Sequence, residues 1–228
     1  MANLLTVARV LLIFVVVAVW ARDSGVSGWW LNLLMVPLLA WAIFMDALDG
    51  WAARRFNEES EAGALFDIAG DRIVELVLWT FFAIRRDPFG VALVPFWVPI
   101  VIITRTVLTD FIRSVAFGSG RTPFGPNSMQ NSAWARQLTT SRWSRALYGG
   151  LKAVCFCALG LLLAWQGITH SPITAGEFRA VVDLLVYATT FFALLRAVPV
   201  IWDGRQYILT LSARSATASG TPSAPKVR

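Results

Sequence analysis

Six stretches of roughly 20 apolar residues, near 4–20, 29–51, 64–84, 91–112, 146–166 and 180–202, leave a chain of this kind few ways to fold. In hydrocarbon the backbone N–H and C=O groups must be bonded within the segment, so each stretch is expected to be a helix. The chain therefore reads as all-α, a polytopic membrane protein with about six transmembrane helices. Hydrophobic residues at 57%, charged residues at 15% and a mean hydropathy of +0.61 agree, since soluble domains lie outside that range. Turns at Arg22-Asp23-Ser24-Gly25, Arg86-Asp87-Pro88 and Thr169 to Gly176 separate successive pairs of helices. The longest polar segment, Ser114 to Arg145, reads as an ordered or partly ordered cytoplasmic loop. Residues 1–205 are expected to form one membrane domain and 206–228 a cytoplasmic, largely disordered tail, because the sequence from Ser212 is rich in Ser, Ala, Thr and Pro.

A net charge of +6 would raise the question of nucleic acid in a soluble protein. Here the positive-inside rule accounts for it, and no nucleic-acid partner is expected. Taking the connection around 52–62 as cytoplasmic puts Arg54, Arg55, Arg113, Arg121, Arg136, Arg142, Arg145, Arg205 and Arg214 on that side. Arg22, Arg85, Arg86 and Arg179 fall on the other, and both termini are expected in the cytoplasm. Arg9 before the apolar run Val10 to Trp20 imitates a signal peptide, but no small-x-small site follows, so the run reads as a retained helix. Cys155 and Cys157 point to different faces of one helix and read as small apolar filler.

Ionisable residues within membrane helices are costly and mark function. Asp46 and Asp49 close the second apolar stretch at i,i+3 spacing, and Asp67 and Asp71 open the third at i,i+4, so each pair shares a helix face. In an antiparallel hairpin the midpoint of Asp46 and Asp71 is position 58.5 and that of Asp49 and Asp67 position 58, which sets all four at one depth. Four such carboxylates, with no other counter-charge apparent, repel unless cations bind among them. Oxygen-only ligation without nearby His or Cys favours Mg²⁺ or Mn²⁺, and four carboxylates suit two ions. Ions so held clamp phosphate or pyrophosphate and stabilise in-line displacement at phosphorus. Gly50, Ala53 and Gly63 remove side-chain bulk where a nucleotide would approach the backbone, and Arg54 adds a cation for phosphate. Packing between helices is the other reading of Gly50 and Gly63.

Asp46-Ala47-Leu48-Asp49-Gly50-Trp51-Ala52-Ala53-Arg54, eight further residues and Gly63-Ala64-Leu65-Phe66-Asp67-Ile68-Ala69-Gly70-Asp71 resemble the signature DxxDGxxAR(x8)GxxxDxxxD of the CDP-alcohol phosphatidyltransferase family without a departure. Eight fixed positions in a 26-residue window make the resemblance specific, and the six-helix reading extends it over roughly the first 200 residues. The resemblance implies transfer of a phosphatidyl group from CDP-diacylglycerol to an alcohol in phospholipid biosynthesis, with release of CMP. It also implies a homodimer, and with the connection around 52–62 taken as cytoplasmic the active site is expected to face the cytoplasm. Asp46, Asp49 and Asp67 would bind the metals with Asp71 contributing, and Asp71 would be the general base. Asp46, Asp49, Gly50, Ala53, Arg54, Gly63 and Asp67 would form the CDP-lipid site.

The signature does not choose the alcohol. Asn3-Leu4-Leu5-Thr6-Val7-Ala8-Arg9 resembles the NxLTxxR opening of phosphatidylglycerophosphate and cardiolipin synthases. Arg105 and Arg113 resemble the AREIIxxxLR stretch of the former, with Thr104 and Thr106 as departures, and Gly149 and Lys152 keep part of its GKxKT. Arg105, Arg113 and Lys152 thus become candidate acceptor-binding residues, suited to glycerol 3-phosphate. Anchoring of helix ends at the interface is the other reading of Arg113, whereas Arg105 and Lys152 lie deeper and need partners. Phosphatidylglycerol, inositol phosphate and serine remain alternative acceptors for the same chemistry.

Glu75 continues the Asp67-Asp71 row by one turn and is read as a structural partner of Arg105 or Arg72. Asp110 with Arg113 and Arg179 with Asp183 have intrahelical pair spacing. The single histidine, His170, falls in an outer turn, and Trp near helix ends fit an aromatic belt. A membrane prenyltransferase would place its acidic motifs far apart, and an ion transporter would not require the Gly50, Ala53, Arg54 and Gly63 neighbours.

Overall fold

Helices fill the apolar stretches, running through Pro37 and Pro199. The computed structural model describes residues 2–22, 29–56, 61–86, 90–121, 128–130, 132–169 and 176–219; within these, side chains are described except at 2–3, 46–56, 61, 62, 64, 65, 166–169 and 210–219. The helices are α1 (Ala2–Arg22), α2 (Trp29–Phe56), α3 (Glu61–Ile84), α4 (Trp97–Gly118), α5 (Ala133–Thr140), α6 (Arg142–Thr169) and α7 (Glu177–Ser219). The described regular elements are thus helices, joined by turns and by isolated bridging such as that between Arg86 and Ala92.

Three boundaries differ from those the composition suggests, each for a local reason. The fourth apolar stretch begins at Val91, but α4 starts only at Trp97. Gly90 has φ +81°, Arg86 donates to its carbonyl at 2.8 Å, and Pro95 accepts from the Val98 N–H at 3.0 Å, so the chain turns before it coils. At the other end of α4, Gly120 at φ +77° lets the Ser119, Gly120 and Arg121 N–H groups reach the carbonyls of Ala116 and Phe117. The polar segment after it is also not all loop, since it holds α5. Finally, α7 continues to Ser219, past the 205/206 boundary; no glycine or proline stands between Arg205 and Ser219, and Gly220 is the first breaker.

Among the described residues, Leu4–Arg22, Arg142–Trp165 and Glu177–Leu209 are long and apolar enough to cross a membrane by length and composition, with Trp29–Met45 a shorter apolar helix. Charges interrupt the others: Asp67, Asp71, Arg72 and Glu75 in α3, and Arg105, Asp110 and Arg113 in α4. The apolar helices point to a membrane protein, and their outward faces agree. Leu11, Phe14 and Val15 on α1 and Leu184, Phe191 and Val198 on α7 are exposed, which water would not tolerate over so large an area.

Two compact units divide the chain: Met1–Ile103 with Tyr148–Phe191, and Thr104–Leu147 with Phe192–Arg228. In the first, α1 packs on α2 and α3. Its core joins Trp20 of α1 to Phe82 of α3 at 5.5 Å between ring centroids, and Trp79 of α3 to Phe156 of α6 at 5.0 Å. Gly160 of α6 makes this approach feasible, because a Cβ there would stand 2.8 Å from the Trp20 ring and 3.2 Å from Val36. In the second, Ile112, Ala116, Met129, Val200 and Tyr207 form the core, and the Tyr207 hydroxyl donates to the Met129 carbonyl at 3.1 Å.

Candidate active site

The first turns of α3 position the two described carboxylates of the signature. Helical spacing sets Asp67 and Asp71 one turn apart on one face, with side chains 41% and 47% exposed. Opposite them stands Arg9 of α1, whose side chain is only 4% exposed. Its guanidinium donates to Asp67 Oδ1 at 3.4 Å and reaches Asp71 Oδ1 at 3.0 Å. The expectation that the carboxylates lack a nearby counter-charge is therefore corrected: α1 supplies one. Arg9 entered the sequence reading as the basic residue before the first apolar run and through the NxLTxxR resemblance, and a contact across 58 residues had no periodic signal to reveal it.

Gly70 makes that contact feasible. It lies on α3 between the two aspartates, and a Cβ there would stand 2.5 Å from Thr6 Cγ2 and 3.2 Å from an Arg9 guanidinium nitrogen. Any larger residue would push α1 away from α3 and draw Arg9 off the carboxylates.

One turn further along α3, Glu75 is buried and tied to α6. Tyr148 donates its hydroxyl to Oε1 at 2.6 Å and Lys152 donates Nζ to Oε2 at 3.2 Å. Arg72 reaches the same Oε2 at 3.5 Å, and Lys152 Nζ also lies 4.8 Å from the Tyr148 ring centroid. Arg72, one of the two partners considered for Glu75, is thus in place, whereas Tyr148 carried no signal in the sequence.

Lys152 belongs to the first unit, and the other two candidate acceptor residues to the second. Arg105 is buried and donates from Nε to the Ala193 carbonyl at 3.2 Å and from Nη1 to the Thr106 hydroxyl at 3.3 Å, which meets its need for partners. Arg113 bonds Asp110 at 3.2 Å, and Arg179 bonds Asp183 at 2.9 Å, as their spacings suggest. Cys155 and Cys157 are both free thiols.

Gly63 lies in the first turn of α3 and is partly buried. Asp46, Asp49, Gly50, Ala53 and Arg54 lie on α2 but outside the described side chains. Among the described residues, no three His, Cys, Asp or Glu side chains gather as a metal site. Asp67 and Asp71 nonetheless fit a hard divalent ion, offering half-exposed carboxylate oxygens on one face.

In a helical, largely apolar chain, an acidic pair bonded to a buried cation is a functional-site candidate. The chain belongs to the CDP-alcohol phosphatidyltransferase family, whose sequence model matches residues 1–202. It is therefore an enzyme of that class, moving a phosphatidyl group from a CDP-alcohol to an acceptor, and the family is generally dependent on divalent metal. A search of the curated proteins finds no match.

Proposed function

We propose that the protein transfers the phosphatidyl group of CDP-diacylglycerol to glycerol 3-phosphate and releases CMP at a site facing the cytoplasm. The observation that carries this reading is the Asp67-Asp71 pair, presented on one face of α3 against Arg9 within an unbroken family signature.

In this reading Asp46, Asp49 and Asp67, with Asp71, hold two Mg²⁺ or Mn²⁺ ions. Bound there, the ions supply charge neutralisation at the pyrophosphate and polarise the phosphorus under attack. Gly50, Ala53 and Gly63 would leave room for the CDP moiety, and Arg54 would supply a cation for its phosphates. Asp71 accepts the proton of the acceptor hydroxyl while that oxygen attacks the lipid-side phosphorus and the bond to CMP breaks. Arg9, bonded to both α3 carboxylates, would orient Asp71 toward the hydroxyl and Asp67 as a metal ligand.

Glycerol 3-phosphate is favoured because a phosphate dianion needs cations rather than bare carboxylates, and Arg105, Arg113 and Lys152 are the basic residues that the resemblance to phosphatidylglycerophosphate synthases suggests for it. The test is to incubate purified protein with CDP-diacylglycerol and a panel of glycerol 3-phosphate, phosphatidylglycerol, inositol phosphate, inositol and serine. Phosphatidylglycerophosphate is the expected product. In the same assay Arg113→Gln should raise the KM for glycerol 3-phosphate by roughly tenfold, the cost of one charge-assisted contact, with the KM for CDP-diacylglycerol little changed. A product formed only from another alcohol would overturn the acceptor assignment and leave the transfer chemistry standing.

A further inference from the structure

The geometry points to Glu75 as a positioning residue for the acceptor end of the site, holding Lys152 and Arg72 as a prearranged pair of cations one helical turn from Asp71. Glu75 lies outside the signature and touches none of its residues through the bonds described. It is nevertheless the most deeply buried acid of the α3 row, with its side chain 2% exposed, while Lys152 and Arg72 are each 21% exposed. Burying a carboxylate is costly unless it is fully bonded, and this one is. Oε1 takes the Tyr148 hydroxyl, and Oε2 takes both Lys152 Nζ and Arg72 Nη1.

The charge balance gives the cluster its use. Two cations and one anion leave a net positive charge, carried by the two partly exposed groups, while the anion stays buried. Asp67, Asp71 and Glu75 recur every four residues along α3, so the backbone position of Glu75, which holds the two cations, lies about 6 Å along the helix axis from that of Asp71. A phosphate on the acceptor would meet Lys152 and Arg72 there while its hydroxyl reached Asp71. The inference rests on an anionic acceptor, as proposed above, and adds Arg72 and Glu75 to the acceptor end.

Without the carboxylate, the two cations would repel each other at close range, and the flexible Lys152 stem would carry its ammonium away. Glu75→Gln keeps the shape and removes the charge. It is expected to raise the KM for glycerol 3-phosphate about tenfold while kcat and the KM for CDP-diacylglycerol change less than about threefold. Glu75→Asp, which restores the charge on a shorter arm, should recover part of that loss. Tyr148→Phe leaves the charge but frees Oε1, and should raise the same KM by a smaller factor.

Melting temperature is measured beside the kinetics, so that a purely structural role shows itself as a fall in stability and in all kinetic constants together. If Glu75→Gln does not fold, the same KM split in Glu75→Asp and Tyr148→Phe carries the test. A KM for glycerol 3-phosphate that is unchanged or lowered in the folded variants overturns the positioning role. A wild-type enzyme that uses only uncharged alcohols overturns instead the acceptor reading on which it rests.

Discussion

A guanidinium 4% exposed and bonded to two carboxylates about half exposed holds those carboxylates in place and is held by them. Removing Arg9 leaves two like charges one turn apart on α3. Arg9→Met should cost about 1–2 kcal/mol of stability, the lower part of the range because water can reach both acids, and denaturation of the purified variant measures it. It should also lower turnover, since Asp71 loses its orientation. Asp71→Asn separates chemistry from structure. The amide can still accept a hydrogen bond and Arg9 keeps Asp67, so the melting temperature should stay near that of the wild type. Turnover should fall by about 10²–10⁴-fold, the range for loss of a general base. Near-normal turnover in Asp71→Asn would remove it from the base role.

At the scale of elements, the close approach of α1 to α3 depends on Gly70, and that of α1 and α2 to α6 on Gly160. Gly70→Ala should destabilise by about 1–3 kcal/mol and reduce turnover, because α1 carries Arg9. Gly160→Leu should destabilise by a similar or larger amount, with its kinetic effect following folded fraction only, since it packs against Trp20 and Val36 and no charged group. Turnover per folded molecule, compared between the two, tests the distinction. Equal losses would mean that Gly70 serves packing alone.

The same packing explains what the chain did and did not disclose. The helical period placed Asp67, Asp71 and Glu75 in one row, and likewise the pairs Asp110-Arg113 and Arg179-Asp183, because residues three or four apart must share a face. Arg9 on the carboxylates and Tyr148 on Glu75 depend on which helices pack together, and no spacing within one helix reports that. Nor was α5 legible, since its eight residues have no apolar run. It is held by tertiary bonds, with Arg196 donating to the Leu138 carbonyl at 3.0 Å and the Thr139 carbonyl at 3.3 Å, which satisfies the end of the helix.

Over the whole molecule, the outward apolar surface of α1 and α7 and the family match across residues 1–202 agree on a membrane enzyme. The charges that interrupt α3 are the ones proposed for the site, and in that proposal catalytic need and apolar continuity compete within one helix. The most direct test of this account follows CMP release from CDP-diacylglycerol by the purified protein with glycerol 3-phosphate, with and without chelator. CMP should appear in step with the lipid product, stop when divalent metal is removed, return with Mg²⁺ or Mn²⁺, and fail to return in Asp67→Asn at the same metal concentration. Undiminished CMP release in chelator, or by Asp67→Asn, would contradict metal-assisted transfer at the α3 carboxylates.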